Sequence, residues 1–258
     1  MNARFPTPGM LAVAIVLMLS CPRARADPIQ LTLNAPYKQN FDSLAKTKED
    51  QVFPWMNDST IPGWFASQVT YRVSNGGNSN PGVYSFGRFN EDDRALGVIT
   101  NSKQSTNFFG ATFRNKTGAI LTELKVEYTG EQWRDGNTNP QTLHFSIQGD
   151  PVKELNFTSP TNNGTGSNIN GNAPANQTKI SFTIKNLSIK PDATFDLQWT
   201  LNQPRIGQSH GLAVDDLTVS VAGTKPATPE PSTFVLLAIG SAGVVVWKWR
   251  RTRSVAAE

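Results

Sequence analysis

The sequence predicts an all-β fold: an antiparallel β-sandwich of the jelly-roll kind, with an N-terminal signal peptide before it and a single C-terminal transmembrane helix after it. Three observations predict this. Apolar and polar residues alternate with period two through several short stretches. Clusters of Asn, Gly, Pro and Asp separate those stretches. An apolar run lies near each end of the chain, flanked by basic residues.

The N-terminal run, Met10 to Leu19, follows Arg4 and leads into "SCPRARADP". Ala24-Arg25-Ala26 has the small-x-small form of a signal-peptidase site, so residues 1–26 read as a signal peptide. Cys21 is the single cysteine and falls within that segment. Cleavage after Ala26 leaves a body without cysteine, which an oxidising compartment tolerates but which uses no disulfide.

Residues 27–222 read as one domain of about 200 residues, long enough to bury a core. In "TELKVEYT", Leu124, Val126 and Tyr128 point one way, with Glu123, Lys125 and Glu127 opposite. "TLHFSIQ" turns Leu143, Phe145 and Ile147 inward. "KISFTIK" does the same with Ile180, Phe182 and Ile184, and "TFDLQWTLN" with Phe195, Leu197, Trp199 and Leu201. Each is a half-buried strand with one wet face. Further strands are predicted over 30–33, 65–73, 83–86, 95–100, 108–114 and 212–221. "SNGGNSNPG", "RNKTG" and "RDGNTNP" supply turns between them. The polar stretch from Thr158 to Thr178 reads as a loop excursion between strands.

Residues 223–231 read as an extended linker ending in Pro229, Glu230 and Pro231. Residues 232–249 follow as the transmembrane helix. At about 1.5 Å per residue they reach about 27 Å, enough for a thin bilayer. Trp247 and Trp249 sit where interfacial aromatics belong, and Arg250, Arg251 and Arg253 in the 250–258 tail mark the cytoplasmic side.

The whole chain carries a net charge of +4, but that excess belongs to the two ends. Residues 27–224 hold 16 Lys and Arg against 18 Asp and Glu. A near-neutral body without a basic stripe lacks the electrostatic footprint of nucleic-acid binding, so nucleic acid is excluded as a partner.

The inventory for catalysis is thin, and no enzymatic activity is expected. Glu123 and Glu127 are four residues apart on one strand face with Lys125 between them, a solvated ladder rather than a catalytic pair. "NEDDR" (90–94) reads as a turn with a local ion pair, and His210 as a turn residue before the last strand. For recognition, "YTGEQWR" gathers Glu131, Gln132, Trp133 and Arg134 at a strand exit. An aromatic face with amide and guanidinium donors suits a sugar ring, which makes these four the candidate glycan-binding residues. Trp133 serves equally well as a plug closing the sandwich, with Arg134 covering it and pairing with Glu131.

Two resemblances add to this. Pro-Glu-Pro, a short apolar helix and an arginine cluster, in that order at the C-terminus, resemble the PEP-CTERM sorting signal. The resemblance implies export across the inner membrane of a Gram-negative bacterium and recognition by an exosortase. The protein would be membrane-anchored before processing and then reach the cell surface or the extracellular matrix, in a context of exopolysaccharide and biofilm. The body, with "QNFDSL", "IPGW" and a final "HGLAVDDLTVS", resembles carbohydrate-binding-module jelly rolls. That likeness implies a glycan-binding module as the alternative function, with a carbohydrate-active enzyme behind it. It also implies a structural calcium shared between first and last strands, at Asp42, Asp215 and Asp216.

Overall fold

In the computed structural model, residues 27–33, 35–204 and 207–221 are described. The predicted signal peptide, linker, transmembrane helix and basic tail lie outside them. Among the described residues, no helix is long and apolar enough to cross a membrane.

Sixteen strands follow in chain order: β1 (Ile29–Leu31), β2 (Tyr37–Gln39), β3 (Val52–Pro54), β4 (Trp64–Ala66), β5 (Thr70–Ser74), β6 (Gly82–Phe86), β7 (Ala95–Ile99), β8 (Thr106–Asn115), β9 (Leu124–Asp135), β10 (Thr142–Ile147), β11 (Asp150–Pro151), β12 (Phe157–Thr158), β13 (Ser167–Asn168), β14 (Gln177–Ile184), β15 (Thr194–Asn202) and β16 (Gly211–Val221). They make two sheets. The seven-stranded sheet runs β1-β8-β15-β10-β11, with β4 on β8 and β12 on β10. The nine-stranded sheet runs β13-β9-β16-β7-β6-β5-β3, with β14 on β9 and β2 on β16. The neighbours β9 and β16 lie far apart in sequence, so the larger sheet is built on long-range pairing.

The period-two pattern settles which side chains meet between the sheets. Leu124, Val126 and Tyr128 of β9, Leu143, Phe145 and Ile147 of β10, and Phe195, Leu197, Trp199 and Leu201 of β15 are all buried in one core. Its aromatic centre is Trp199. That ring stacks on Trp64 at 6.1 Å and on Phe109 at 5.8 Å, and meets Tyr128 and Phe145 edge-on. Offset and edge contacts at such spacings are the favoured aromatic geometries.

The pairing is not wholly antiparallel. β1 runs parallel to β8, and β5 parallel to β6. The "SNGGNSNPG" segment therefore makes no hairpin. It reaches back along the sheet, which at about 3.3 Å per residue its length allows. The predicted strand over 65–73 is two strands in different sheets: β4 pairs with β8, and β5 with β3 and β6.

A second, smaller cluster lies on the outer face of the nine-stranded sheet: Tyr84, Phe86, Ala95, Ile99, Trp133 and Ala213. Tyr84 stacks on Phe86 at 4.9 Å and Phe86 on Trp133 at 6.4 Å. Solvent does not reach this ladder, because the polar excursion after β12 folds back over it. Asp135 anchors that excursion by accepting from the N–H groups of Asn163, Gly164 and Thr165 and from the Thr165 hydroxyl. β13 then adds to β9 at Asp135 and Arg134, and the Ile169 N–H donates to the Trp133 carbonyl.

Candidate functional site

A break in the strand pattern builds the site. Along β9 and β16 the register runs Ala213 opposite Glu131 and Asp215 opposite Thr129, but it slips between Gly211 and Leu212, where Arg134 and Gln132 are the partners. The slip is a β-bulge at Trp133, and bulges re-aim side chains. Trp133 is 1% exposed and Arg134 4%. The indole Nε1 donates to Glu131 Oε2 at 2.8 Å. Space over the ring is full: a Cβ on Gly171 would stand 2.4 Å from the indole. Gly76, at φ +97°, lets a second loop close on the strand, since a Cβ there would meet the Trp133 carbonyl oxygen.

The exposure that sugar stacking requires of Trp133 and Arg134 is therefore absent. The plug alternative also needs correcting in its details. Trp133 packs on the outer face of the larger sheet, not at the end of the sandwich. Among the described residues Arg134 pairs with no carboxylate: its guanidinium donates to the Gly76 and Gly77 carbonyls and to Gln208 Oε1. Gln132 turns to the excursion, donating to the Thr161 carbonyl and accepting from the Thr161 N–H. Burial pushes the Arg134 guanidinium below its usual range.

His210 lies directly before β16, where the sequence reading puts it, whereas Arg94 departs from that reading. His210 is fully buried, with Nδ1 facing the Gln132 amide and the Gly136 N–H, and Nε2 facing the Asn139 carbonyl. Arg94 is no surface partner of its acidic neighbours. It is 1% exposed and donates to the Ser85 hydroxyl and carbonyl and to the Arg88 carbonyl. Burial lowers its pKa to about 10.

The residues that do converge are acids. Glu131 and Asp215 share the outer face of β9 and β16, one row apart, and are 4% and 5% exposed. Asp93, exposed just before β7, is near enough for the two carboxyls to act on each other's charge. Asn172, on the excursion, donates to Asp93 Oδ2 at 2.6 Å. Asp42 and Asp216 stand at the margin, and their charges raise the Asp93 pKa further after burial has done so. Burial, with the Glu131 charge next, pushes Asp215 up to about 9, and burial pushes Glu131 up to about 7. Asp42 is already engaged: Oδ1 accepts from the Arg94 N–H and Oδ2 from the Asn40 amide. Asp216, at φ +50° in a second register shift, faces a separate cleft with Lys38 and Asn40. Of the three expected calcium residues, then, only Asp215 sits at the centre of the acidic group. Among the described residues, no three His, Cys, Asp or Glu side chains form a ready metal-binding group.

Residues 227–251 match the PEP-CTERM protein-sorting motif. The chain is thus a C-terminally sorted, exported protein, processed by an exosortase at the cell envelope. A search of curated proteins gave no match. Among solved structures, an arabinose-bound α-L-arabinofuranosidase is similar at 13% identity and a TM-score of 0.40, over 78% of this chain and 31% of that one. This chain thus spans under a third of the arabinofuranosidase's length. The N-terminal cellulose-binding domain from Cellulomonas fimi β-1,4-glucanase C is similar at 12% identity and a TM-score of 0.32, over 65% of this chain and 93% of that domain. A family 35 carbohydrate binding module from Clostridium thermocellum is similar at 10% identity and a TM-score of 0.30, over 72% and 97%. The neighbours thus include the carbohydrate-binding-module sandwiches that the sequence resembles.

A cleft of about 590 Å³ opens beside the sorted domain's buried ladder, with the edge of Trp133, Phe89 and Ile169 as apolar walls. Asn75, Asn168, Asn170 and the Arg88–Glu91 ion pair form its rim. None of the rim residues belongs to the "YTGEQWR" set. They come from β13 and from loops that meet only in three dimensions, so no linear motif announced them.

Proposed function

We propose that this is a non-enzymatic protein of the cell surface or extracellular matrix, delivered through its PEP-CTERM motif and associated with the exopolysaccharide of a Gram-negative biofilm. The motif at 227–251 carries the reading. Before processing, the 232–249 helix anchors the body on the outer side of the inner membrane. Against catalysis stands the state of the two acids best placed for it. Glu131 and Asp215 are sealed under the excursion, and burial first favours their neutral forms, helped at Asp215 by the Glu131 charge and at Glu131 by those of Asp93 and Asp216. A glycosidase needs two carboxyls opposed across an accessible bond.

The cleft at Phe89 supports a second reading, as a glycan-binding module. The half-buried Phe89 side chain, with amides and an Arg–Glu pair at the rim, suits what a sugar presents: a flat apolar face edged by hydroxyls. Incubation with exopolysaccharide from the producing cells tests both. Matrix association without reducing-end release is expected, and sedimentation with the polymer that Phe89→Ala abolishes selects the module. Reducing ends that appear with the wild type and vanish in Glu131→Gln would establish an enzyme instead.

A further inference from the structure

We propose that the end of the sandwich where β16 leaves the domain is a membrane-contact surface, which sits on anionic phospholipid headgroups through Lys116, Lys185 and Lys190 and seats Ile120 among them. This rests on the reading of residues 232–249 as a membrane anchor. Position comes first. Val221, the last residue of β16, stands opposite Leu124, and Leu124 opposite Ile184. The β8–β9 loop (116–123) and the β14–β15 loop (185–193) therefore flank the point from which the chain runs on to the anchor. Residues 222–231 reach at most about 35 Å when fully extended, so the tether starts these two loops nearest the bilayer.

The loops are built as one rigid unit. Asn115, fully buried at the end of β8, donates through its amide to the Ala119, Ile189 and Lys190 carbonyls. Leu121 and Ile189 exchange backbone hydrogen bonds, and the Leu187 N–H donates to the Thr122 carbonyl. The Lys116 N–H donates to the Leu31 carbonyl, which ties in the end of β1.

What this unit turns outward suits a headgroup layer. Ile120 is 53% exposed, beside the fully buried Leu121. Gly118, at φ +78°, makes the turn before it with open space around its Cα. One exposed apolar side chain is ordinary, so the charges around it decide the matter. Lys185 and Lys190 are exposed and make no ion pair among the described residues. Lys116 pairs with Asp192, and the half-buried Arg114 acts on the same carboxylate. Glu123 and Asp192 are the acids of the two loops. This end is therefore positive on a body that holds more acids than bases overall. Each lysine at an anionic surface strengthens binding about fivefold. Lysine stems keep their charge at the headgroups while an apolar neighbour reaches deeper. The tether makes the contact intramolecular, so a modest intrinsic affinity suffices. The cleft at Phe89 shares no lining residue with these loops and stays free.

The chain without its leader has no cysteine, so single cysteines can report position. The unprocessed protein from cells without exosortase is reconstituted into vesicles of phosphatidylethanolamine and phosphatidylglycerol. Thr122→Cys or Ser102→Cys carries a fluorophore. The first lies in the β8–β9 loop, and the second lies before β8, whose 10 residues put about 30 Å between them. Brominated lipids should quench the Thr122→Cys probe at least threefold more than the Ser102→Cys probe. Lys185→Glu with Lys190→Glu, or Ile120→Asp, should abolish that difference and leave Tm unchanged. The processed protein should still sediment with phosphatidylglycerol vesicles, and the double lysine variant should bind at least tenfold more weakly. Equal quenching of both probes, in protein that floats with the vesicles, would overturn the contact surface and leave the anchor standing. Protein that does not float with them would overturn the anchor and this surface together. Sedimentation of the processed protein that ignores both the lysines and the lipid charge would refute the headgroup contact. Self-association through Ile120 in analytical ultracentrifugation would instead give the surface to a second copy.

Discussion

Trp133→Ala separates a buried Trp133 from a sugar platform by stability alone. The side chain is 1% exposed, stacks on Phe86 and donates to Glu131. Truncating a fully buried Trp costs about 3–5 kcal/mol in lost transfer energy and residual cavity. Leaving Glu131 Oε2 without its donor adds about 1–3 kcal/mol where the carboxyl stays buried. The terms overlap, because a collapsing cavity admits water to Glu131, so a total near 4–5 kcal/mol is reasonable. For a domain of this size about 1 kcal/mol moves Tm by about 2–4 °C, so a fall of about 10–15 °C is expected. Differential scanning calorimetry of wild type, Trp133→Ala and Trp133→Phe in the same buffer reads it. The Phe variant keeps the stack and loses only the indole donor, so it should lose less than half as much. A Trp133→Ala melt within 2–3 °C of wild type would refute the buried-plug reasoning, because no side chain with those contacts can be removed so cheaply.

Three further outcomes follow from other parts of the molecule. Arg94→Gln leaves the Ser85 and Arg88 carbonyls without their donors and should cost about 2–3 kcal/mol in urea unfolding. In EDTA, Tm should fall as pH rises from about 4 to 9. Asp215 and Glu131 hold protons in the folded state, at about 9 and about 7, that the unfolded chain has released, so stability is full below the unfolded values and is lost through the folded ones, at up to about 1.4 kcal/mol per pH unit for each proton. Asp215→Asn should flatten most of that slope. Replacing Arg250, Arg251 and Arg253 by Ser should remove the inside-positive bias and leave the protein mislocalised, as fractionation and blotting would record.

The sandwich was legible where strands alternate cleanly. Phe195, Leu197, Trp199 and Leu201 announce their inner face by spacing alone, and all four are buried in the core. Legibility ended where the pattern breaks. At Trp133 and Arg134 a bulge puts consecutive residues under one cover, and period-two counting has no way to register the extra residue. The same limit hid the acidic group. Glu131 and Asp215 meet through a long-range strand pairing, and Asp93 came disguised in a charged turn whose Arg94 turns inward. Asn172 sits in a stretch whose composition looks like solvent-exposed loop, yet its amide is bonded to Asp93. Local composition reports what a segment prefers by itself. Here the excursion is ordered by what it covers.

Intact-mass and terminal-peptide analysis of the protein recovered from envelope and medium bears most directly on export and sorting through the C-terminal motif. Expected is a chain that begins at Asp27 and has lost the residues beyond the Pro229–Pro231 motif, in cells with a working exosortase. In cells without it, the C-terminal segment should persist in the membrane fraction. A chain carrying residues 1–258 intact in the cytoplasm of both strains would contradict it.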